Sequence, residues 1–258
     1  DPLRGYLCNL IAEVTPGDMQ YSFLTNGGAE AVEMALKLAR LATGGKWFIS
    51  TVNAFHGKSM GAISMGGKAA YREDFIPMIQ QVQHVEYGNA EAARAAVKNL
   101  TAVGEKVAGI IVEPIQGEGG VIIPPDGYMA ELRAICDEYG CCLIADEIQT
   151  GFGRTGEWFR VNHDGVTPDI MTFGKATSGG VVPITGIVAR PWTYEQSGIG
   201  TGETGKMFSN PWILGSPTFG GNPLACSAMI ATIKYMIEND IPGQMKEKGE
   251  LFESTTYA

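Results

Sequence analysis

Apolar positions recur along this chain in two alternating rhythms. Residues 28–42 place Ala31, Met34, Ala35 and Leu38 on one face at helical spacing, and Gly44-Gly45 end the run. Residues 47–50 read as a short strand. Residues 89–102 predict a helix with Asn89 as its cap and Glu91 in its first turn, where the helix dipole favours an acid. Two unbroken apolar runs, 107–112 and 141–145, lack a polar face altogether, the mark of strands covered on both sides. A helix at about 127–139 lies between them and is stopped by Gly140. Residues 170–173 and 184–189 read as further strands, and helix returns at 222–238. This alternation predicts an α/β fold, a mostly parallel sheet flanked by helices. Segment 191–217 fits neither rhythm, with Trp192, Tyr194, Phe208 and Trp212 scattered among Gly, Ser, Thr and Pro. A long functional loop and a surface insertion both account for it.

Composition narrows the function classes. A chain of 258 residues, 45% apolar and 18% charged, buries a sizeable core and is not intrinsically disordered. A net charge of −9 leaves no basic stripe to neutralise phosphates, which excludes nucleic acid as the main partner. No apolar stretch reaches spanning length, and the start, Asp1-Pro2-Leu3-Arg4, lacks the shape of a signal peptide. The five cysteines are odd in number, with Cys141-Cys142 inside an apolar strand, so a reducing, cytoplasmic setting is expected rather than disulfides. His56, His84 and His163 are far apart, and no metal site is expected. The 35 glycines are about twice the usual share of roughly 7% and cluster in pairs, which points to special backbone turns.

In open α/β sheets, ligands sit beyond the carboxyl ends of the strands. Three polar residues follow apolar runs at that edge: Glu113, Asp146 and Lys175. Each alone is also explained by the need to end a strand on something polar. Together with the Gln149 amide they suit an anionic, electron-withdrawing cofactor. Asn26-Gly27-Gly28-Ala29-Glu30 opens a helix with bare amides, a place for phosphate, although glycine before a helix is common. Phe55, after the strand at 47–50, suits stacking on a planar ring; a buried Phe beside a hydrogen-bonded His56 is the other reading.

The run at 145–156, with Lys175 lying 29 residues after Asp146, resembles the class III aminotransferases of pyridoxal-phosphate fold type I. The resemblance continues through 113–120 and 218–223 and covers about residues 2–254. Runs 54–59, 113–125 and 218–226 look most like the putrescine aminotransferase branch and other polyamine or ω-amine transaminases. It implies that Lys175 forms the Schiff base with pyridoxal 5'-phosphate (PLP) and shuttles the proton, and that Asp146 pairs with the pyridine nitrogen. Gln149 matches the amide at the phenolic oxygen, and Phe55 the stacking ring with His56 beside it. Gly27, Gly28 and Ala29 match the phosphate cup. Thr218 matches the threonine that reaches the phosphate of a second subunit, which implies a homodimer with shared sites. The cup departs from the Ser-Gly-Thr of many relatives, losing side-chain hydrogen bonds worth roughly 1 kcal/mol each.

The resemblance further implies a PLP-binding large domain over residues 1–240, including the 191–217 loop, with 241–258 beginning a C-terminal region. The N-terminal segment and C-terminal small domain of the family then lie outside the chain. So does the family's arginine for a substrate carboxylate, leaving its matched partner Glu118 alone. Glu113 is a further substrate candidate, and Arg154 is either a replacement cation for substrate or a structural ion pair. The implied activity moves an amino group from an amine or diamine, putrescine-like and broad in range, to a 2-oxo acid or aldehyde. A non-catalytic PLP-binding remnant and a PLP aminomutase or decarboxylase are the alternatives. Lys175, Asp146 and Gln149 favour an enzyme, and the 113–120 run favours an aminotransferase.

Overall fold

The unbroken apolar runs become the middle of a seven-stranded sheet. The computed structural model describes residues 1–197 and 213–256. Its strands are β1 (Tyr21–Thr25), β2 (Trp47–Thr51), β3 (Val82–Val85), β4 (Val107–Val112), β5 (Cys142–Asp146), β6 (Ile170–Phe173) and β7 (Thr185–Ala189), in the order β1-β7-β6-β5-β4-β2-β3. Strands β6, β5, β4, β2 and β3 are mutually parallel, while β7 runs antiparallel to both β6 and β1. The mostly parallel α/β sheet expected from the sequence is therefore present.

The helices are α1 (Pro2–Val14), α2 (Gly28–Thr43), α3 (Met60–Met65), α4 (Ala90–Ala102), α5 (Tyr128–Tyr139), α6 (Pro191–Ser197), α7 (Pro223–Glu238) and α8 (Ile241–Thr256). They cover the sheet as two layers. Helices α1, α4, α5 and α7 pack with Leu143, Ala145, Met171 and Val188 in one core. Helices α2, α3 and α6 pack with Cys142, Ile144, Ile170 and Ile187 in the other. Successive residues of β5 thus enter opposite cores, so this strand carries no polar position until its end. Asn89 caps α4 as expected, its side chain accepting the Ala92 N–H at 2.9 Å. Gly44 and Gly140 end α2 and α5 in the left-handed conformation.

Elements α1, β1, α3 and β3 went unread in the sequence, because each is short or mixed in polarity. The 191–217 expectation needs correction at its start. Residues 191–197 form α6, with Pro191 at the helix start and Tyr194 buried beside α2, its ring 5.2 Å from that of Tyr21. The remainder of that stretch up to residue 212, including Phe208 and Trp212, lies outside the described residues. Among the described residues no helix is long and apolar enough to cross a membrane.

One buried acid staples four elements. Asp169, 1% exposed, receives Arg133 Nη1 at 2.6 Å and the Leu143 N–H at 2.8 Å on one oxygen. Its other oxygen receives Trp192 Nε1 at 3.0 Å and Arg190 Nη1 at 3.5 Å. Asp169→Ala leaves the buried Leu143 N–H unpaired and Arg133 with Asp137 alone, so it should lower unfolding stability by about 2 kcal/mol or more. A urea midpoint equal to that of the parent would refute this role.

Candidate active site

The carboxyl ends of β4, β5 and β6 meet the amino end of α2 around a cavity of about 200 Å³. Glu113 follows β4, Asp146 ends β5, Gln149 lies three residues on, and Lys175 follows β6 after Gly174. All four line the cavity, with Gly28 and Ala29 from the first turn of α2. Phe55 and His56 complete it from the connection between β2 and α3. That connection is held from two sides. The Glu33 carboxylate on α2 receives Ser59 Oγ at 2.6 Å and the Gly61 N–H at 2.8 Å at the start of α3. Glu113 receives the Phe55 N–H at 2.9 Å.

Asp146 is 5% exposed and firmly oriented. Its Oδ2 lies 2.7 Å from His56 Nδ1, and its Oδ1 accepts from Thr172 Oγ1 at 2.8 Å. His56 is 2% exposed, and among the described residues its buried Nε2 has no partner. Burial opposes charge on the imidazole, but the hydrogen bond and charge of Asp146, backed by Glu113, outweigh it and hold His56 above its ordinary pKa. Glu113 is itself pushed up, first by burial and then by Asp146, while His56 and two backbone N–H donors pull it down.

Lys175 sits with φ at +52°, a backbone conformation uncommon outside glycine. Its side chain is exposed to the cavity, and among the described residues no group pairs with the ammonium. Gly174 just before it is tightly packed, since a Cβ there would lie 3.0 Å from Thr185 Cγ2. Gly28 faces Ile148 at similarly close range, where a Cβ would approach Cδ1 to 2.9 Å.

Other candidates from the sequence lie elsewhere. Gly27 caps α2 and borders an adjoining hollow that shares Gly28, Lys175 and Thr185 with the main cavity. Thr218 is exposed and lines a separate cavity with Arg4, Cys8 and Ser22. Glu118 is exposed on a turn outside the cavity, its backbone carbonyl accepting from Lys68 Nζ. Arg154 is also exposed and outside it, because the turn carrying it packs away from the strand ends. Gly153 and Gly156 there, both with positive φ, lie against Met236 and Lys246 of α7 and α8. Among the described residues no acid pairs with Arg154.

Sequence reasoning missed Ile148, Gly57 and Thr185 in the cavity lining and Thr172 behind Asp146. Thr172 carried a signal, being the hydroxyl within an otherwise apolar strand. Glu147, beside Asp146, is fully buried and faces away, receiving the Val161 N–H at 2.9 Å and Thr150 Oγ1. Burial pushes its pKa from 4.5 up to about 7. Between those pH values the folded chain holds a proton that the unfolded chain has released, so stability falls as pH rises and levels off above about 7. Glu147→Gln should remove this slope, worth about 3 kcal/mol, from urea unfolding measured between the two plateaus. Parallel pH profiles for both proteins would refute it.

The family described as Aminotransferase class-III matches residues 4–256. Among solved structures, the ornithine aminotransferase from Toxoplasma gondii is 32% identical with a TM-score of 0.84, over 98% of this chain and 57% of that one. The taurine:2-oxoglutarate aminotransferase from Bifidobacterium kashiwanohense, solved with PLP and glutamate, is 30% identical with a TM-score of 0.86, over 98% of this chain and 58% of that one. An (S)-enantioselective omega-transaminase from Thermomicrobium roseum is 31% identical with a TM-score of 0.80, over 94% and 57%. The chain thus spans less than two thirds of the length of these proteins, and they do not single out the putrescine branch. With the large-domain sheet and a family match running almost from end to end, this chain belongs to the class III aminotransferases.

Proposed function

We propose that this chain binds PLP in the Lys175 cavity and transfers an amino group from an amine or diamine to a 2-oxo acid or aldehyde. The observation that carries the proposal is one cavity holding a lysine amine, unpaired among the described residues, together with a carboxylate locked by His56 and Thr172. The donor set suits the cofactor's parts. Phe55 and Ile148 offer apolar surfaces to a ring, and Gln149 an amide to its oxygen. The first turn of α2 has no side-chain cap at Gly27, leaving backbone N–H groups for the phosphate.

When bound, PLP supplies an electron sink for the pair released as the substrate C–H bond breaks. Lys175 Nζ anchors the cofactor, then takes that proton and returns it. Asp146, its second oxygen backed by His56, holds a proton at the pyridine nitrogen with its negative charge. The ornithine, taurine and omega-transaminase relatives support an amine donor. Runs 54–59, 113–125 and 218–226 support the narrower diamine reading. In this reading residues 1–240 form the cofactor-binding domain and 241–258 begin the next. Exposed Thr218, beside Phe219 at 70% exposure, supports a homodimer in which it serves the partner's phosphate.

The test adds PLP, then putrescine with pyruvate as acceptor. Expected are a visible absorbance band lost on adding amine, borohydride fixation of PLP to the Lys175 peptide, and alanine as product. Light scattering should report a dimer. A chain that neither holds PLP nor forms alanine from any amine would overturn the proposal.

A further inference from the structure

We infer that Glu113 is a positioning residue: its single carboxylate ties together the segment carrying Phe55 and the segment backing Gln149, and so sets the gap a planar ring enters. The inference rests on the PLP reading above for what fills that gap. Its geometry stands on the chain alone. Glu113 is 3% exposed, and among the described residues no Lys or Arg pairs with it. Burying a carboxylate with no Lys or Arg beside it, only the His56 imidazole, is unfavourable, and an acid held there has a reason to be one. Oε1 accepts the Phe55 N–H at 2.9 Å, and Oε2 accepts the Gly117 N–H at 3.1 Å. Two donors converging from different loops require a group with two acceptor oxygens; a glutamine would turn an NH2 toward one of them.

Each tethered segment carries one wall. Phe55 lines the cavity and its ring packs against Tyr71, with ring centroids 5.7 Å apart and edge to face. The Gln149 amide packs against the Gly117 backbone, since a Cβ at residue 117 would lie 2.6 Å from Gln149 Oε1. A shift of Gly117 toward the cavity therefore displaces the amide. The clamp is itself anchored, for the Glu113 carbonyl accepts from Tyr87 Oη at 3.0 Å. With both carboxylate oxygens engaged by backbone donors, Glu113 acts through Phe55 and Gln149 rather than as the substrate contact expected from its strand-end position.

The experiment compares the parent chain with Glu113→Gln, Glu113→Asp and Gly117→Ala. Amide hydrogen exchange by NMR is read on the cofactor-free proteins, and PLP itself is the titrant for affinity and for visible circular dichroism. Glu113→Gln is isosteric and should fold. It is expected to speed exchange at the Phe55 or Gly117 amide by about 10-fold and weaken PLP binding by about 10-fold. The dichroism of bound PLP, which reports how the ring is held, should fall with it. Glu113→Asp keeps the charge but not the reach, and should fall between parent and Glu113→Gln. Gly117→Ala should reproduce the loss of dichroism while leaving Phe55 exchange at the parent rate. Parent-like exchange in Glu113→Gln would overturn the clamp. Faster exchange with unchanged PLP affinity and dichroism would make Glu113 merely structural and overturn it equally. A parent chain that ignores PLP, while Glu113→Gln still loosens the two amides, would instead sink the cofactor reading and leave the clamp standing.

Discussion

Lys175→Ala is expected to lose the proposed transamination by at least about 10³-fold, and borohydride should no longer fix PLP to the chain. Lys175 is the lysine that lines the cavity among its described lining residues, so no second amine stands ready to replace it. The fold should not respond. The side chain is exposed and without a partner among the described residues, and alanine at φ +52° carries the same backbone strain as lysine. Unfolding stability should stay within about ±0.5 kcal/mol of the parent, which separates lost chemistry from lost structure. A small amine such as methylamine, added to the variant, should restore part of the rate by supplying the missing base. Substantial turnover without added amine would show that Lys175 is not the anchoring base.

Asp146→Asn should slow the proton-abstraction half-reaction by about 10³-fold while leaving the sheet intact. Asn retains an oxygen for Thr172 Oγ1, now at 2.8 Å from Asp146 Oδ1, so the end of β5 keeps its tie to β6. What disappears is the negative charge. A neutral amide does not hold a proton at the pyridine nitrogen, and His56, raised now in part by Asp146, should titrate at lower pH. Single-turnover kinetics and NMR titration of His56 read the two effects separately. A carboxylate merely solvated at a strand end predicts no change in either. Single-turnover rates near those of the parent would remove Asp146 from the mechanism.

Much of this arrangement was legible along the chain. Runs 107–112 and 141–145 had to be doubly covered strands, because a sheet with both faces apolar needs a helix layer on each. Once those strands were parallel, Glu113, Asp146 and Lys175 had to lie near one edge, since parallel strands end on the same side. Caps and stops were equally local: Asn89, Gly44 and Gly140 act on neighbours within a few residues.

Contacts set by the path of the chain were not legible. His56 and Asp146 are 90 positions apart, and nothing near either residue announces a hydrogen bond between them. Arg154 sits five residues after Gln149, yet close packing of Gly153 and Gly156 against α7 and α8 turns it out of the cavity. Glu113 shared its strand-end position with Asp146, but neighbouring loops converted it into a backbone clamp. The sequence by itself determined the central strands, the long helices between them, and at which edge the chemistry gathers, because periodicity and capping are short-range. Only the tertiary structure decided which of the gathered side chains face the cavity and which hold its walls, because side-chain direction depends on how distant segments pack.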